Sequence, residues 1–357
     1  MIYLDYQATT PLAPEAREAM VPWLGGPDSS QFGNPHSPHR MGRMAAAAVE
    51  VAREQVAGLF PAGGRVIFTS GATEAINLAM RGIAGGGPIA CSAIEHAAVL
   101  DTARALGQHH ELPVSGEGIC EADQALPEGT RLVAVMQVNN EIGTVQPVAE
   151  WQARAHEAGA LFLCDAVQAF GKLPCADADM IAVSAHKLHG PKGIGALWLR
   201  DGVELATVST GGGQEQGLRS GTLSPMLCAG FGAAAALAAA RMEEDAAHIE
   251  SLWQVARAKF AGWELNGSAE QRWHGNVNVR RDGLDVARLM SDCRQVMFSA
   301  GSACASGSGR SSHVLRALGL SDAQAKSSIR LGFGRYTQLS ELEEAAETLI
   351  NAATQQG

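Results

Sequence analysis

A lysine follows a predicted buried strand, in a position where covalent chemistry is possible. Residues 180–183 are apolar, and Ser184, His186 and Lys187 come after them. Ligands of parallel α/β sheets gather at the carboxyl ends of the strands. A lysine at such an end can form a Schiff base with an aldehyde cofactor while its neighbours hold a phosphate. A solvated loop lysine is the alternative, and Lys192 competes for the same role.

Two further polar segments follow strand-like runs. The segment 69–74, with sequence TSGATE, turns from a strand into a helix, and its backbone N–H groups and hydroxyls suit a phosphate. A simple helix N-cap explains that segment equally well when it is taken alone. Asp165 emerges after the apolar run 161–164, where a carboxylate is costly unless it meets a cation or hydrogen-bond donors. Capping of the next helix is the alternative role for Asp165.

A cysteine lies within a loop, residues 299–312, that is rich in Ser, Gly and Ala. Structural cysteines usually lie in apolar runs, as Cys91 and Cys164 do, but Cys304 lies among small residues and has no large apolar neighbour. Such a thiol suits a nucleophile or a sulfur carrier, provided that its pKa falls below the ordinary value of about 8.5. A disordered linker is the alternative for this loop. Phosphate cradle, carboxylate, lysine and thiol together predict pyridoxal phosphate and sulfur transfer.

The elements that must position these residues alternate between strand and helix from about residue 45 to 200. Buried strands alternating with helices predict an α/β fold with a mostly parallel sheet that is covered on both faces. Beyond an Ala-rich helix at 227–240, the alternation at 276–279 indicates antiparallel strands and a smaller α+β domain. The predicted strands are 66–69, 89–91, 132–136, 161–164, 180–183 and 194–199, and the predicted helices are 45–59, 72–80, 148–157, 284–290 and 339–353.

Composition narrows the class of function. The chain has 357 residues, of which 46% are hydrophobic and 18% charged, and this balance is typical of a globular protein with two domains. A net charge of -10 argues against nucleic-acid binding and favours small substrates. With no signal-like N-terminus and no uninterrupted apolar run of about 18 residues, we expect a cytoplasmic protein without membrane contact. The seven cysteines form no C-x-x-C pair, so neither disulfides nor a zinc site is expected.

Motifs along nearly the whole chain resemble those of the cysteine desulfurases of bacterial iron–sulfur cluster assembly and nitrogen fixation. This family belongs to the class V aminotransferase group, which has the pyridoxal-phosphate transferase fold type I. The resemblance implies a large cofactor domain at 15–244. It also implies a small domain formed by 1–14 and 245–357, which carries the cysteine loop. The matching motifs are at 3–6, 8–11, 33–35, 69–74, 95–96, 138–143, 165–168, 184–187, 219–222, 301–304 and 328–330.

The resemblance assigns roles around the cofactor ring. Lys187 is implied to be the Schiff-base lysine, which leaves Lys192 on the loop. Asp165 would keep the pyridine nitrogen protonated, so that the ring acts as an electron sink. Gln168 would donate a hydrogen bond to the ring hydroxyl, and His96 would stack on the ring and move protons.

The resemblance also assigns the phosphate site. Ala72, Thr73, Ser184 and His186 would bind the phosphate, and Thr222 would join them from a second subunit. An obligate homodimer is therefore implied.

Substrate recognition and sulfur transfer follow from the same resemblance. Asn140 would contact cofactor and substrate, and Arg330 would grip the carboxylate of L-cysteine. Cys304 would take the sulfur as a persulfide and leave L-alanine. It would then pass the sulfur to an acceptor such as an iron–sulfur scaffold protein, or to the synthesis of a thio-cofactor or of thiolated tRNA. The five residues from Ser299 to Cys304 reach at most about 17 Å.

Two departures from the family pattern leave details open. Gln216 stands where many relatives carry Arg, which bears on the dimer-side surroundings of the phosphate. The sequence ends without the longer tail that docks a scaffold in housekeeping relatives, so the acceptor stays open. A class V aminotransferase, a selenocysteine lyase and a non-catalytic sulfur relay remain alternatives. Cys304 weighs against a plain aminotransferase, and Lys187, Asp165 and His96 together weigh against a non-catalytic protein.

Overall fold

The computed structural model describes residues 1–83, 86–107, 109–301 and 311–356. Its strands are β1 (Ile2–Tyr3), β2 (Gly64–Thr69), β3 (Ile89–Ser92), β4 (His109–Leu112), β5 (Leu132–Ala134), β6 (Leu161–Asp165), β7 (Met180–Ser184), β8 (Gly195–Arg200), β9 (Glu264–Leu265), β10 (Asn276–Arg280), β11 (Val296–Met297), β12 (Ser299–Ala300) and β13 (Ser328–Gly332). Its α-helices are α1 (Pro14–Met20), α2 (Arg40–Ala57), α3 (Ala72–Gly82), α4 (Ala97–Leu106), α5 (Val148–Glu157), α6 (Pro225–Lys259), α7 (Val286–Asp292), α8 (His313–Ala317), α9 (Asp322–Lys326) and α10 (Leu339–Thr354).

A seven-stranded sheet forms the centre of the larger part of the molecule. Its strand order is β2-β8-β7-β6-β5-β3-β4, and β8 is the one strand of this sheet that runs against its neighbours. Helices α2, α5 and α6 bury apolar residues on one face, including Val49, Trp151 and Phe231. Helices α3 and α4 bury Ile76 and Val99 on the other face. The predicted α/β class, with a mostly parallel sheet covered on both faces, is confirmed.

The later part of the chain builds a second, smaller core. An antiparallel sheet of order β12-β13-β10-β9 packs with α7 and α10, and β1 pairs in parallel with β11 beside them. This core includes Leu4, Val277, Ile329 and Leu349. The antiparallel pairing of β10 confirms what the alternation at 276–279 predicts. The domain boundaries at 14/15 and 244/245 stay a prediction.

Helix α6 runs from the first core into the second. Phe231 packs among the residues of the large sheet, whereas Trp253 packs in the smaller core. By length and apolar composition, α6 is the one helix in the described ranges that could cross a membrane. Residues of α6 such as Phe231 and Trp253 pack in the two cores of the protein, which agrees with the prediction of a buried helix. The helix is longer than predicted, because Ile249, Leu252, Trp253 and Ala256 continue a buried face at helical spacing beyond residue 240.

Candidate active site

Three strand ends meet at one edge of the large sheet. The register places Thr69 of β2 and Ser184 of β7 on either side of Gly195, the first residue of β8. Asp165, the last residue of β6, pairs with Ala182 in the neighbouring strand. The chain therefore leaves β7 and returns as β8 through residues 185–194. The predicted phosphate segment, the lysine turn and the carboxylate share one edge of the sheet because of this topology.

Gly195 permits this close approach. A Cβ atom at position 195 would lie 2.4 Å from the carbonyl oxygen of Val183 and 2.7 Å from the Cα atom of Gly71. Both neighbours are backbone, so they cannot move aside without disturbing the two strand ends. A larger residue at position 195 would separate the phosphate segment from the lysine turn.

A cavity of about 330 Å³ opens at this edge, within the size range of small-molecule sites. Thr222 does not line this cavity within the single chain, and Cys304 lies outside the described residues. Lys192 lines the adjoining surface beside Thr73 rather than the cavity. The predicted site residues that line it are Ala72, Thr73, His96, Asn140, Asp165, Gln168, Ser184, His186, Lys187 and Arg330.

Lys187 lies in a short 3-10 turn directly after β7. Its Nζ atom donates hydrogen bonds to the carbonyl oxygens of Gln7 and Ala8, the latter at 2.9 Å. Sequence reasoning did not identify these partners, because backbone carbonyls leave no trace in the identity of a side chain. The amine is thus held at the cavity wall by the N-terminal segment.

That segment, residues 5–10, is called the N-terminal strap below. Besides the contacts with Lys187, the carbonyl oxygen of Gln7 accepts a hydrogen bond from Gln168 Nε2 at 3.1 Å. Thr9 Oγ1 lies 3.1 Å from Nδ1 of His186, and Thr10 Oγ1 donates to the carbonyl oxygen of His186 at 2.9 Å. The strap therefore fixes the positions of several cavity residues at once.

Asp165 supplies a buried carboxylate. Its side chain accepts a hydrogen bond from the backbone N–H of Val167 at 2.9 Å. Burial raises the pKa of Asp165 above its ordinary value, while His96 and Lys187 act in the opposite direction. A carboxylate in this position is stabilised by a further cationic N–H group, such as a protonated ring nitrogen.

The predicted phosphate-binding segment, residues 69–74, has the features of an anion site. Helix α3 begins at Ala72, whose N–H donates to Ser184 Oγ at 2.8 Å. The N-terminus of this helix offers backbone N–H groups and the positive end of its dipole. Burial, with help from the charge of Lys187, lowers the pKa of His186 to about 4. His186 is therefore neutral at physiological pH and contributes hydrogen bonding rather than charge.

His96 is oriented by the helix that it caps. Its Nδ1 accepts a hydrogen bond from the N–H of Ala98 at 3.1 Å, at the start of α4. Because Nδ1 is the acceptor, the neutral ring carries its proton on Nε2. Helix capping thus selects the tautomer of the residue that is predicted to move protons.

Arg330 is fully buried in β13, and its guanidinium is held along one side. Nη2 donates to Asp5 Oδ1 at 2.7 Å and to Ser299 Oγ at 3.1 Å, and Nη1 donates to the carbonyl oxygen of Asn140 at 3.0 Å. Nε has no hydrogen-bond partner among the described residues. A buried donor without a partner is costly, and a substrate carboxylate would satisfy it.

Two buried glutamates near the cavity have no role in the sequence analysis, although both lie in the quoted motifs. Glu95 accepts a hydrogen bond from the N–H of Met136 at 2.5 Å, and burial together with Asp165 raises its pKa well above the ordinary value. Glu141 accepts a hydrogen bond from the hydroxyl of Ser312, and burial raises its pKa to about 7. Glu141 therefore anchors the end of the predicted cysteine loop.

The described ends of that loop are more regular than predicted. Ser299 and Ala300 form β12 and pair with β13, so the first two residues of the predicted loop belong to a sheet. Ser312 caps α8 by accepting a hydrogen bond from the N–H of Leu315. One end of the loop thus belongs to the antiparallel sheet, and the other end caps a helix.

Cysteines in the described ranges behave as structural residues. Cys91 and Cys164 are completely buried, as expected from their apolar runs. Burial raises the pKa of Cys91 to about 12 and that of Cys164 well above its ordinary value. Such thiols are poor nucleophiles at neutral pH.

The residues present fit pyridoxal phosphate. The cavity wall supplies a primary amine from Lys187 and a buried carboxylate from Asp165 whose pKa is raised. It also supplies a helix N-terminus with the hydroxyl of Ser184. These groups match an aldehyde, a pyridine nitrogen and a phosphate respectively. Gln216 lines a surface notch with Arg53 and Glu215, separate from the cavity.

Comparison with known proteins identifies the family of this chain. The family model described as aminotransferase class-V matches residues 2–344. A protein named cysteine desulfurase IscS from Rickettsia bellii (strain OSU 85-389) is 40% identical, covering 98% of this chain and 90% of its own length. A mitosomal cysteine desulfurase from Encephalitozoon cuniculi (strain GB-M1) is 41% identical, covering 98% of this chain and 86% of its own length.

Solved structures with a similar fold point to the same family. A NifS-like protein superposes with a TM-score of 0.89 at 30% identity over 98% of each chain. The protein SspA, solved in complex with cysteine, superposes with a TM-score of 0.81 at 34% identity, over 95% of this chain and 100% of SspA. The chain therefore belongs to the class V aminotransferase family and, within it, to the pyridoxal-phosphate-dependent cysteine desulfurases.

Proposed function

We propose that this protein converts L-cysteine to L-alanine and holds the released sulfur as a persulfide on Cys304. The observation that carries the proposal is the joint placement of Lys187, Asp165 and Arg330 around one cavity. A relative with the same fold, SspA, has been solved with cysteine, which supports this amino acid as the substrate. Arg330, with its buried Nε, is the group proposed to bind the substrate carboxylate.

The residues of the chain divide the work as follows. Pyridoxal phosphate, when bound, supplies an electron sink for the electron pair left at the substrate α-carbon. Asp165 would pair with the ring nitrogen and keep it protonated, and the amine of Lys187 would hold the aldehyde of the cofactor. His96, with its tautomer fixed by α4, moves protons at the cavity. Gln168 would donate a hydrogen bond to the ring hydroxyl.

The sulfur step needs no external oxidant. The thiolate of Cys304 attacks the sulfur of the bound cysteine, a sulfur–sulfur bond forms, and the Cβ–S bond of the substrate breaks. The electron pair of that bond goes to Cβ, which takes up a proton, so that alanine leaves. The sum is cysteine plus enzyme thiol giving alanine plus enzyme persulfide.

Purified protein loaded with pyridoxal phosphate tests the proposal. With L-cysteine and a reductant, we expect equal amounts of alanine and sulfide, and without reductant one added sulfur atom on the peptide that contains Cys304. Turnover confined to selenocysteine would establish the lyase instead. Transfer of an amino group to a keto acid, with no sulfide, would establish the aminotransferase.

Asp165→Asn is predicted to leave the fold intact but to lower turnover by about a hundredfold or more, within the range of a positioned catalytic group. A neutral amide cannot hold the ring nitrogen protonated, so the electron sink is lost. Steady-state alanine formation, with circular dichroism as the control for folding, measures the effect. Turnover equal to that of the parent would remove Asp165 from the site.

We also propose a homodimer in which Thr222 of one subunit completes the phosphate site of the other. Thr222 is exposed and does not line the cavity of its own chain, which agrees with this arrangement. Cofactor content and dimerisation are then linked. Sedimentation at assay concentrations should show a dimer, and a fully active monomer would contradict the proposal.

The sulfur acceptor is proposed to be a protein such as an iron–sulfur scaffold, met in the cytoplasm. Support for the acceptor class comes from the relatives named IscS, and a mitosomal relative shows that compartments differ among related enzymes. Capture of binding proteins from native cytoplasm, followed by transfer of labelled sulfur to each of them, identifies the acceptor. An absence of transfer to any captured protein would contradict a protein acceptor.

A further inference from the structure

A second lysine, Lys172, contacts Gln168, the residue that is proposed to donate a hydrogen bond to the ring hydroxyl of the cofactor. Its backbone N–H donates to the carbonyl oxygen of Ala169 at 2.9 Å, in a turn that follows the strand end at Asp165. Its Nζ atom donates to Gln168 Oε1 at 3.5 Å. Lys172 itself does not line the main cavity, and its side-chain hydrogen bond toward the cofactor site is to Gln168.

The side chain of Lys172 is held against an aromatic ring. Nζ lies 4.6 Å from the centre of the Trp273 ring, a cation–π distance. No carboxylate in the described ranges forms an ion pair with this amine. Burial and the charge of Lys187 lower the pKa of Lys172 to about 7. The other charged or titratable groups that act on it or line the adjoining small cavity are Tyr6, His186, His189, Asp245 and Arg335.

The amide of Gln168 has a defined orientation as a result. Oε1 accepts from Lys172, while Nε2 donates to the carbonyl oxygen of Gln7 at 3.1 Å. Lys187 donates to the same carbonyl oxygen, so the donor end of the amide lies next to the Schiff-base lysine. A primary amide has a second N–H on Nε2, which can face an oxygen of the cofactor ring.

We propose that Lys172 is a positioning residue that acts through Gln168. It fixes the amide so that an N–H group, and not the carbonyl oxygen, meets the ring oxygen of pyridoxal phosphate. When the amine is protonated, its charge strengthens that hydrogen bond by polarising the amide. The inference rests on the proposed role of Gln168 toward the cofactor, but not on desulfurase turnover.

The test compares Lys172→Met with Lys192→Met in the full-length protein. Met keeps the apolar stem against Trp273 but removes the charge, whereas Lys192 is exposed and lines no part of the main cavity. Two readouts are used: the dissociation constant of pyridoxal phosphate, and the pH midpoint of the visible absorbance of the bound cofactor. For K172M we expect about tenfold weaker binding. The midpoint should move upward by about one pH unit, because loss of a nearby cation disfavours the anionic ring oxygen. K192M should leave the midpoint unchanged.

A double-mutant cycle separates this role from a merely structural one. In a Gln168→Ala background, K172M should have no further effect on either readout, because its route to the ring is already lost. Lys172→Gln keeps a polar end without the charge and should raise the midpoint as K172M does, which guards against poor folding of the Met variant. An unchanged midpoint in both variants, or additive effects in the cycle, would overturn the proposal. Parent protein that titrates normally but makes no alanine would refute the proposed function alone.

Discussion

Replacement of Lys187 by Ala should leave a folded protein that cannot attach pyridoxal phosphate covalently and has lost turnover by a factor on the order of 10⁴ or more, as expected when a covalent catalyst is removed. The structure gives the reason. Lys187 is the one lysine lining the main cavity in the described ranges, and its amine is held there by the N-terminal strap. Borohydride reduction followed by peptide mapping measures the attachment.

Lys192→Ala is the matched control, because this lysine lies only five residues away along the chain yet lines the outer surface. It should keep both the reducible link and the turnover. A reducible link that survives in the Lys187 variant would show that another amine holds the cofactor.

Replacement of Cys304 by Ser should preserve cofactor binding but reduce sulfide release nearly to zero. A hydroxyl is a far poorer nucleophile toward sulfur than a thiolate at neutral pH. The variant should still bind cysteine at the cofactor, with the accompanying change in absorbance, because Arg330 and Lys187 are intact. Mass spectrometry after brief exposure to cysteine should find no added sulfur at position 304.

Cys91→Ala is the control for this experiment. Cys91 is buried in β3, so its loss should lower the free energy of unfolding by about 1 kcal/mol without changing turnover. Sulfide release at the parent rate by the Cys304 variant would contradict the persulfide mechanism, and the selenocysteine lyase or aminotransferase reading would replace it.

Strand positions in the large sheet were predictable because short, continuous apolar runs between helical patterns indicate buried strands. Residues 161–164 and 180–183 are such runs, and each is a buried strand. Lys187 and Asp165 then follow from the rule that ligands meet at strand ends. Their chemical roles, and the choice of Lys187 over Lys192, came from the family resemblance. The cavity agrees with that choice.

Other parts of the site could not be predicted, for physical reasons. The carbonyl groups that hold Lys187 belong to the backbone of Gln7 and Ala8, and every residue has such a group. Asp5 reaches Arg330 only because the chain brings together residues 325 positions apart. The end of α6 at Lys259 is different, since the helical spacing of its apolar residues is visible in the sequence.

The N-terminal strap has a practical consequence for protein engineering. Residues 5–10 contact both the groups proposed for the cofactor and, through Asp5, the arginine proposed for the substrate. A deletion that removes these few residues would take away parts of two recognition sites that are distant in sequence. Affinity tags or fusion partners at the amino terminus should therefore be joined before Met1, with the strap kept whole. Proteolytic nicking within the strap should inactivate the enzyme even if the rest of the molecule stays folded.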